Sequence, residues 1–219
     1  MKFWLFSKIS FEVSKPIALI ECYCFQNDFY ANYDYCLSER KRTVEDVNNI
    51  GARMGKELLS KCKPKIENVK NLHIFEFECN LAGFLELDDE TRNGHIRELN
   101  EKVINELIGI DGIKLSRATK VLHTLYPQII PMIDEALQKE YREKINSQWT
   151  GKQSDQILID YYNNFKEGDN WQNLTEIFNQ LHNNIKGLTK VRIFDILWWS
   201  YLKSKKLRQE KNINWSTIK

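Results

Sequence analysis

Apolar residues recur with helical spacing along most of the chain. The plainest case is 95–108 (HIRELNEKVINELI), where Ile96, Leu99, Val103 and Leu107 share one face. A Gly-bearing break, DGIK, follows, and then LSRATKVLHTLY, which stops at Pro127. Asp134 opens a further helix, DEALQKEYREKI. Two more are expected near 153–166 and 171–184, and the last over 189–206. That last stretch carries Val191, Phe194, Ile196, Leu197, Trp198 and Tyr201 at spacings that point to packing in a core.

The first third is less regular. MKFWLF reads like a strand, and residues 16–35 read as a largely buried helix after Pro16. Thr43 is placed to cap a helix, with Glu45 and Asp46 in its first turn and Val44, Val47, Ile50, Met54 and Leu58 as its apolar stripe. Lys63-Pro64 is expected to end it. HIFEFEC (73–79) alternates, so a short strand or an irregular helix fits there. The expected fold class is therefore all-α, with room for a short strand at the N-terminus or over 73–79.

Composition narrows the class. The 219 residues are 42% hydrophobic and 28% charged, enough to bury one core and too apolar for a disordered chain. One domain spanning 1–219 is expected. No apolar run approaches the roughly 20 residues that span a bilayer, and MKFWLFSKIS lacks the features of a signal peptide. The five cysteines (Cys22, Cys24, Cys36, Cys62, Cys79) are odd in number and irregular in spacing. That points to a reducing compartment and a cytoplasmic protein without membrane partners. Cys22-x-Cys24 has the wrong spacing for a zinc knuckle, so no metal is expected. The net charge of +2 hides an asymmetry: Lys186–Lys219 holds nine Lys or Arg against Asp195 and Glu210. Such an end can meet phosphates, or be a solvated helix terminus.

Residues 95–145 carry the chemistry. Two helices joined by Ile110-Asp111-Gly112-Ile113-Lys114 form a tight hairpin, with Gly112 supplying backbone freedom and Ala118 a close approach. The second helix starts with free amides that favour an anion. Asp134 sits where an N-cap belongs, and a capping carboxylate can also face a cleft. Lys114 and Arg117 are phosphate contacts or a solvated face. His123 reads as a packed or surface histidine, and Tyr33, Asp34 and Tyr35 as core or pocket lining. Asp195, inside the apolar last helix, requires a partner such as Arg192 or Arg53.

The run LIGIDGIKLSRATKVLHTLYPQIIPMIDEALQKEY (107–141) resembles the helix–hairpin–helix–Gly/Pro–Asp motif of the DNA base-excision glycosylase superfamily. That pattern is L-P-G-V-G-x-x-x-A, a helix, a Pro-containing loop and an Asp. Leu107, Ile110, Gly112, Ala118, Pro131 and Asp134 match it, in the register of the adenine-mismatch branch. The resemblance implies a two-lobed helical fold, hydrolysis of the N-glycosidic bond of a damaged or mismatched base, and DNA as partner. Asp134 would be the catalytic carboxylate, and Gly112, Ile113, Lys114, Ser116, Arg117 and Lys120 would meet DNA. The chain departs from the pattern at three positions. Asp111 replaces the usual proline, Lys114 the second turn glycine, and Ser116 the lysine of the bifunctional branch. Ser116 has no amine, which implies a monofunctional enzyme, although Lys120 lies one helical turn away. No cysteine follows Cys79, so the relatives' iron–sulfur cluster has no ligands and no cofactor is expected. The alternative is an inactive protein that keeps the hairpin and binds nucleic acid or a protein partner.

Overall fold

The computed structural model describes residues 1–25, 43–50, 52–67, 71–151 and 153–210. Among these residues the fold is all-α with one two-stranded sheet, so of the two places expected for a strand only the N-terminus is used. Strands β1 (Lys2–Leu5) and β2 (Ile9–Glu12) pair antiparallel, Phe3 opposite Phe11. Their alternation buries Phe3, Leu5 and Phe11. The connecting turn holds Phe6 and Ser7 at φ 54° and 55°, which costs non-glycine residues about 1–2 kcal/mol each. Burial of the Phe6 ring edge-on to Tyr141, at 4.8 Å, offsets that cost. The open edge of β1 is covered by side chains: Asn170 bonds the Trp4 amide and carbonyl, and Asn164 accepts from the Phe6 amide.

Helix α1 (Pro16–Phe25) follows. The 26–35 part of the expected helix, with Tyr33, Asp34, Tyr35 and Cys36, lies outside the described residues. The single helix expected from Thr43 is instead a 3-10 segment, Val44–Ile50, and a separate α2, Lys56–Glu67. Thr43 stands at the N-cap position, and Asp46 three residues on accepts from its amide at 2.8 Å and from its hydroxyl at 3.1 Å. Asn48 closes the break by bonding both the amide and carbonyl of Met54, and Arg53 turns the chain with φ 52°. Helix α2 runs through Pro64 rather than ending at it; buried Leu59, Cys62 and Ile66 pack the turns on both sides. His73–Phe77 is a 3-10 turn, not a strand. Its apolar side chains find a core instead of a strand edge: Ile74 is buried and Phe75 stacks on Tyr126 at 3.9 Å.

After α3 (Leu81–Glu86), capped by Asn80, comes α4 (Asp89–Leu99), capped by Asp88. A π turn, Asn100–Ile104, carries the chain into α5 (Asn105–Ile108). Then come α6 (Leu115–Leu125), α7 (Glu135–Lys144), α8 (Ser154–Asn163), α9 (Asn170–Leu181) and α10 (Lys190–Glu210). Apart from Lys190 and the Arg192–Asp195 pair, the N-terminal half of α10 carries apolar residues on several faces, so it must be surrounded. Val191, Ile193, Phe194, Ile196, Leu197 and Trp198 are all buried, with α1, α7 and α9 packed against the helix. The Trp198 stripe is core, as its spacing predicts. Among the described residues no helix is long and apolar enough to cross a membrane.

Candidate functional site around Asp134

The hairpin between α5 and α6 is built as its residues require. Gly112 has φ 85°, a conformation that side-chain-bearing residues rarely adopt. A Cβ there would meet nothing nearer than Leu58 at 4.0 Å, so backbone rather than space selects glycine. Ala118 is fully buried where α6 packs. Ile113 wedges its side chain into the core and donates its amide to the Ile110 carbonyl, 3.0 Å away. It therefore supports the turn from beneath.

Lys114 is exposed at the N-cap of α6, and a lysine, having no acceptor, leaves the first amides of that helix without a side-chain cap. Arg117 reaches back to donate to the Gly112 carbonyl at 2.6 Å. Asp111 is exposed, and its charge reaches Lys61 of α2, whose ammonium is held above its ordinary range first by Glu57 and then by Asp111. Ser116 and Lys120 lie half-buried on one stripe of α6.

From α6 the chain crosses to α7 through a nearly buried loop, Tyr126–Asp134. A buried loop must have its backbone polar groups satisfied by something other than helix or sheet. Here side chains from four helices do it. Thr189 donates to the Pro127 carbonyl at 2.9 Å, and the Tyr162 hydroxyl donates to the Ile129 carbonyl. His123 meets the Ile130 carbonyl at 2.5 Å through Nδ1, which must therefore carry the proton. The Met132 amide donates to Asp195 at 3.3 Å, and the Ile133 amide to the Thr119 hydroxyl at 3.1 Å. Gln138 donates to the Ile133 carbonyl at 3.0 Å. Pro131, which has no amide to satisfy, sits buried among them.

Asp134 ends this loop and caps α7, its Oδ1 accepting from the Leu137 amide at 2.8 Å. The cap reading is thus realised, and the carboxyl keeps partial exposure. Burial pushes its pKa above the ordinary value, opposed by the Leu137 and Ala136 amides and by the charges of Lys120 and Arg192. Lys120 is shifted the other way: burial lowers it, and Asp134 pulls it back. A desolvated carboxyl and a desolvated ammonium therefore bear on each other's charge. Arg192 is nearly buried one turn into α10, with Nη1 4.0 Å from Asp195. It is this arginine, not Arg53, that partners Asp195.

The structure thus brings Lys120 within electrostatic reach of Asp134, with Ser116 one turn earlier on α6 and Lys114, Gly112 and Arg117 at the hairpin turn. Sequence reasoning did not single out Thr119, Tyr162 and Thr189 as holders of the loop. Only polar residues at apolar helix positions signalled them. The chain matches no family model, no curated protein and no solved structure.

Proposed function

We propose that this chain is a monofunctional DNA glycosylase-like hydrolase that binds the DNA backbone at the hairpin and uses Asp134 in cleaving the N-glycosidic bond of a damaged or mismatched base. The observation that carries the reading is Asp134 itself, a poorly solvated capping carboxyl of a part-exposed residue at the end of a loop pinned by side chains, within electrostatic reach of Lys120 on the helix that follows the hairpin.

A departing base leaves positive charge on its sugar. A carboxylate stripped of water stabilises that charge more strongly than a solvated one, because little competing solvent surrounds it. The loop bonds keep the carboxylate from moving away as charge develops. Lys114, Lys120 and the first amides of α6 supply positive potential for phosphate, which orients a duplex without reading its sequence. Ser116 offers no amine for a lyase step.

A second reading has one observation in its favour: Asp111 is exposed at the very turn that would meet phosphate. An acid there opposes backbone binding and suits a hairpin that binds a protein or nucleic acid without chemistry. A base-release assay separates the two. Duplexes carrying uracil, 8-oxoguanine, alkylated purines, hypoxanthine or an adenine mismatch are incubated with the protein and with its Asp134→Asn variant. Release from one duplex, lost in the variant, supports the enzyme and names its substrate. Absence of release from every duplex, with salt-dependent binding retained, supports the second reading.

A further inference from the structure

Asp195 has no part in the cleavage step above, yet it is the most elaborately held acid among the described residues. It lies in the middle of α10's apolar segment and is 2% exposed. Its Oδ1 accepts from the Tyr161 hydroxyl at 2.6 Å and from the Trp198 indole at 3.3 Å. Its Oδ2 accepts from the Met132 amide at 3.3 Å and lies 4.0 Å from the Arg192 guanidinium. An apolar side chain would fill this place at less desolvation cost. What the carboxylate adds is a join between α10, α8 and the loop.

We propose that Asp195 is a positioning residue for Asp134, acting through the Met132 backbone and through Arg192. The first route is mechanical. Met132 lies two residues before Asp134, and the Asp134 amide itself donates to the Met132 carbonyl at 3.2 Å. Fixing Met132 therefore fixes where the capping carboxyl starts. Thr119 holds the intervening Ile133 amide from the opposite side, so the loop is gripped between α6 and α10.

The second route is electrostatic. The Arg192 charge bears on both Asp134 and Asp195. Asp195 neutralises part of that charge and anchors the arginine, which limits how strongly Arg192 holds Asp134 ionised. The charges bearing on Asp134 are Lys120 of α6 and Arg192 of α10, and those on Lys120 also include Arg117 and Glu135. Burial raises Asp195 to about 6, against the charge of Arg192 and the hydrogen bonds from Tyr161, Met132 and Trp198, so it is mostly ionised at neutral pH.

The inference rests on the glycosylase reading only for its activity arm. The direct test is the titration of the Asp134 carboxyl, followed by carbon-13 NMR in the full-length, DNA-free protein and assigned with the Asp134→Asn variant. In Asp195→Asn Arg192 loses one of the groups that share its charge, and the Asp134 midpoint falls. In Arg192→Met it rises by a comparable amount, which loss of packing alone does not produce. Single-turnover base release, where wild type shows it, falls on the order of tenfold to a hundredfold in Asp195→Asn. A folded Asp195→Asn protein with an unmoved Asp134 midpoint overturns the proposal. So does a folded Arg192→Met protein with an unmoved midpoint, which decides the matter if Asp195→Asn does not fold. If wild type releases no base while the midpoints move as stated, the enzyme reading falls and the positioning role stands.

Discussion

Asp134 is a helix cap and the proposed catalytic carboxylate at once, and two substitutions separate those roles. Asp134→Ala removes the oxygen that accepts from Leu137 at 2.8 Å. Loss of such a cap costs about 1 kcal/mol, equivalent to about 2–4 °C in Tm for a domain of this size. Asp134→Asn keeps an acceptor of the same reach, and asparagine caps as well as aspartate. The remaining difference is charge. A helix start and the Lys120 and Arg192 charges favour the carboxylate, yet its pKa is raised, so burial outweighs all of them. Removing that charge therefore costs nothing at neutral pH. The sign with pH follows from the same shift. A group whose folded pKa lies above its unfolded value, ordinarily 3.8, stabilises most below that value. The contribution is lost as pH rises through the folded value. Chemical denaturation at about pH 3.5, below the unfolded value, and at about pH 7 should thus show wild type losing ground to Asp134→Asn on going up, while Asp134→Ala is the weakest at both. Base release should vanish in both variants. If Asp134→Asn is destabilised at neutral pH as much as Asp134→Ala, the charge itself holds the helix, and the argument that burial dominates this carboxyl is wrong.

Gly112→Ala should cost about 1–2 kcal/mol in urea denaturation, because φ 85° strains any Cβ while Leu58 at 4.0 Å leaves room for one; no loss would mean the turn relaxes freely. Thr119→Val conserves shape but strands the Ile133 amide in the core, at about 1–3 kcal/mol, and should weaken base release as well. Stability loss with full activity would show that the loop's grip is irrelevant to Asp134. Borohydride treatment of a complex with an abasic-site duplex should trap no covalent adduct, since Ser116 stands where an amine would be needed. An adduct that disappears in Lys120→Ala would replace the monofunctional reading with a lyase working from the next turn.

The helices from Leu115 onward were legible because local signals bound them: Gly112 turns, Pro127 stops, Asp134 caps, and the apolar stripes bury as their spacing demands. The helix expected over 95–108 instead begins at Asp89, after an Asp88 cap, and is interrupted by the π turn Asn100–Ile104. The first third was less legible for a definite reason. Its elements are decided by groups distant in sequence or by side chains that close loops: Asn164 and Asn170 seal β1, and Asn48 splits what reads as one helix. Pro64 misled in the same way, since the packing of Cys62 and Ile66 outweighs one missing amide.

The same division runs through the site. Asp134 and the hairpin stand within one stretch of chain, so a local motif and its resemblance to the glycosylase pattern were enough to propose them. The groups that immobilise the loop come from α6, α7, α8 and α10, and a pattern of spacing has no way to pair Thr189 with Pro127 or Asp195 with Met132. What the sequence does show is anomaly: a histidine, a threonine and an aspartate on helix faces that are otherwise apolar, all three buried in the structure. Each such residue carries a desolvation cost that folding must recover through a specific partner. Here all three recover it on the same short loop, at Ile130, Ile133 and Met132. Convergence on the loop before Asp134, rather than scatter through the core, is why the loop's rigidity is tied to that carboxyl.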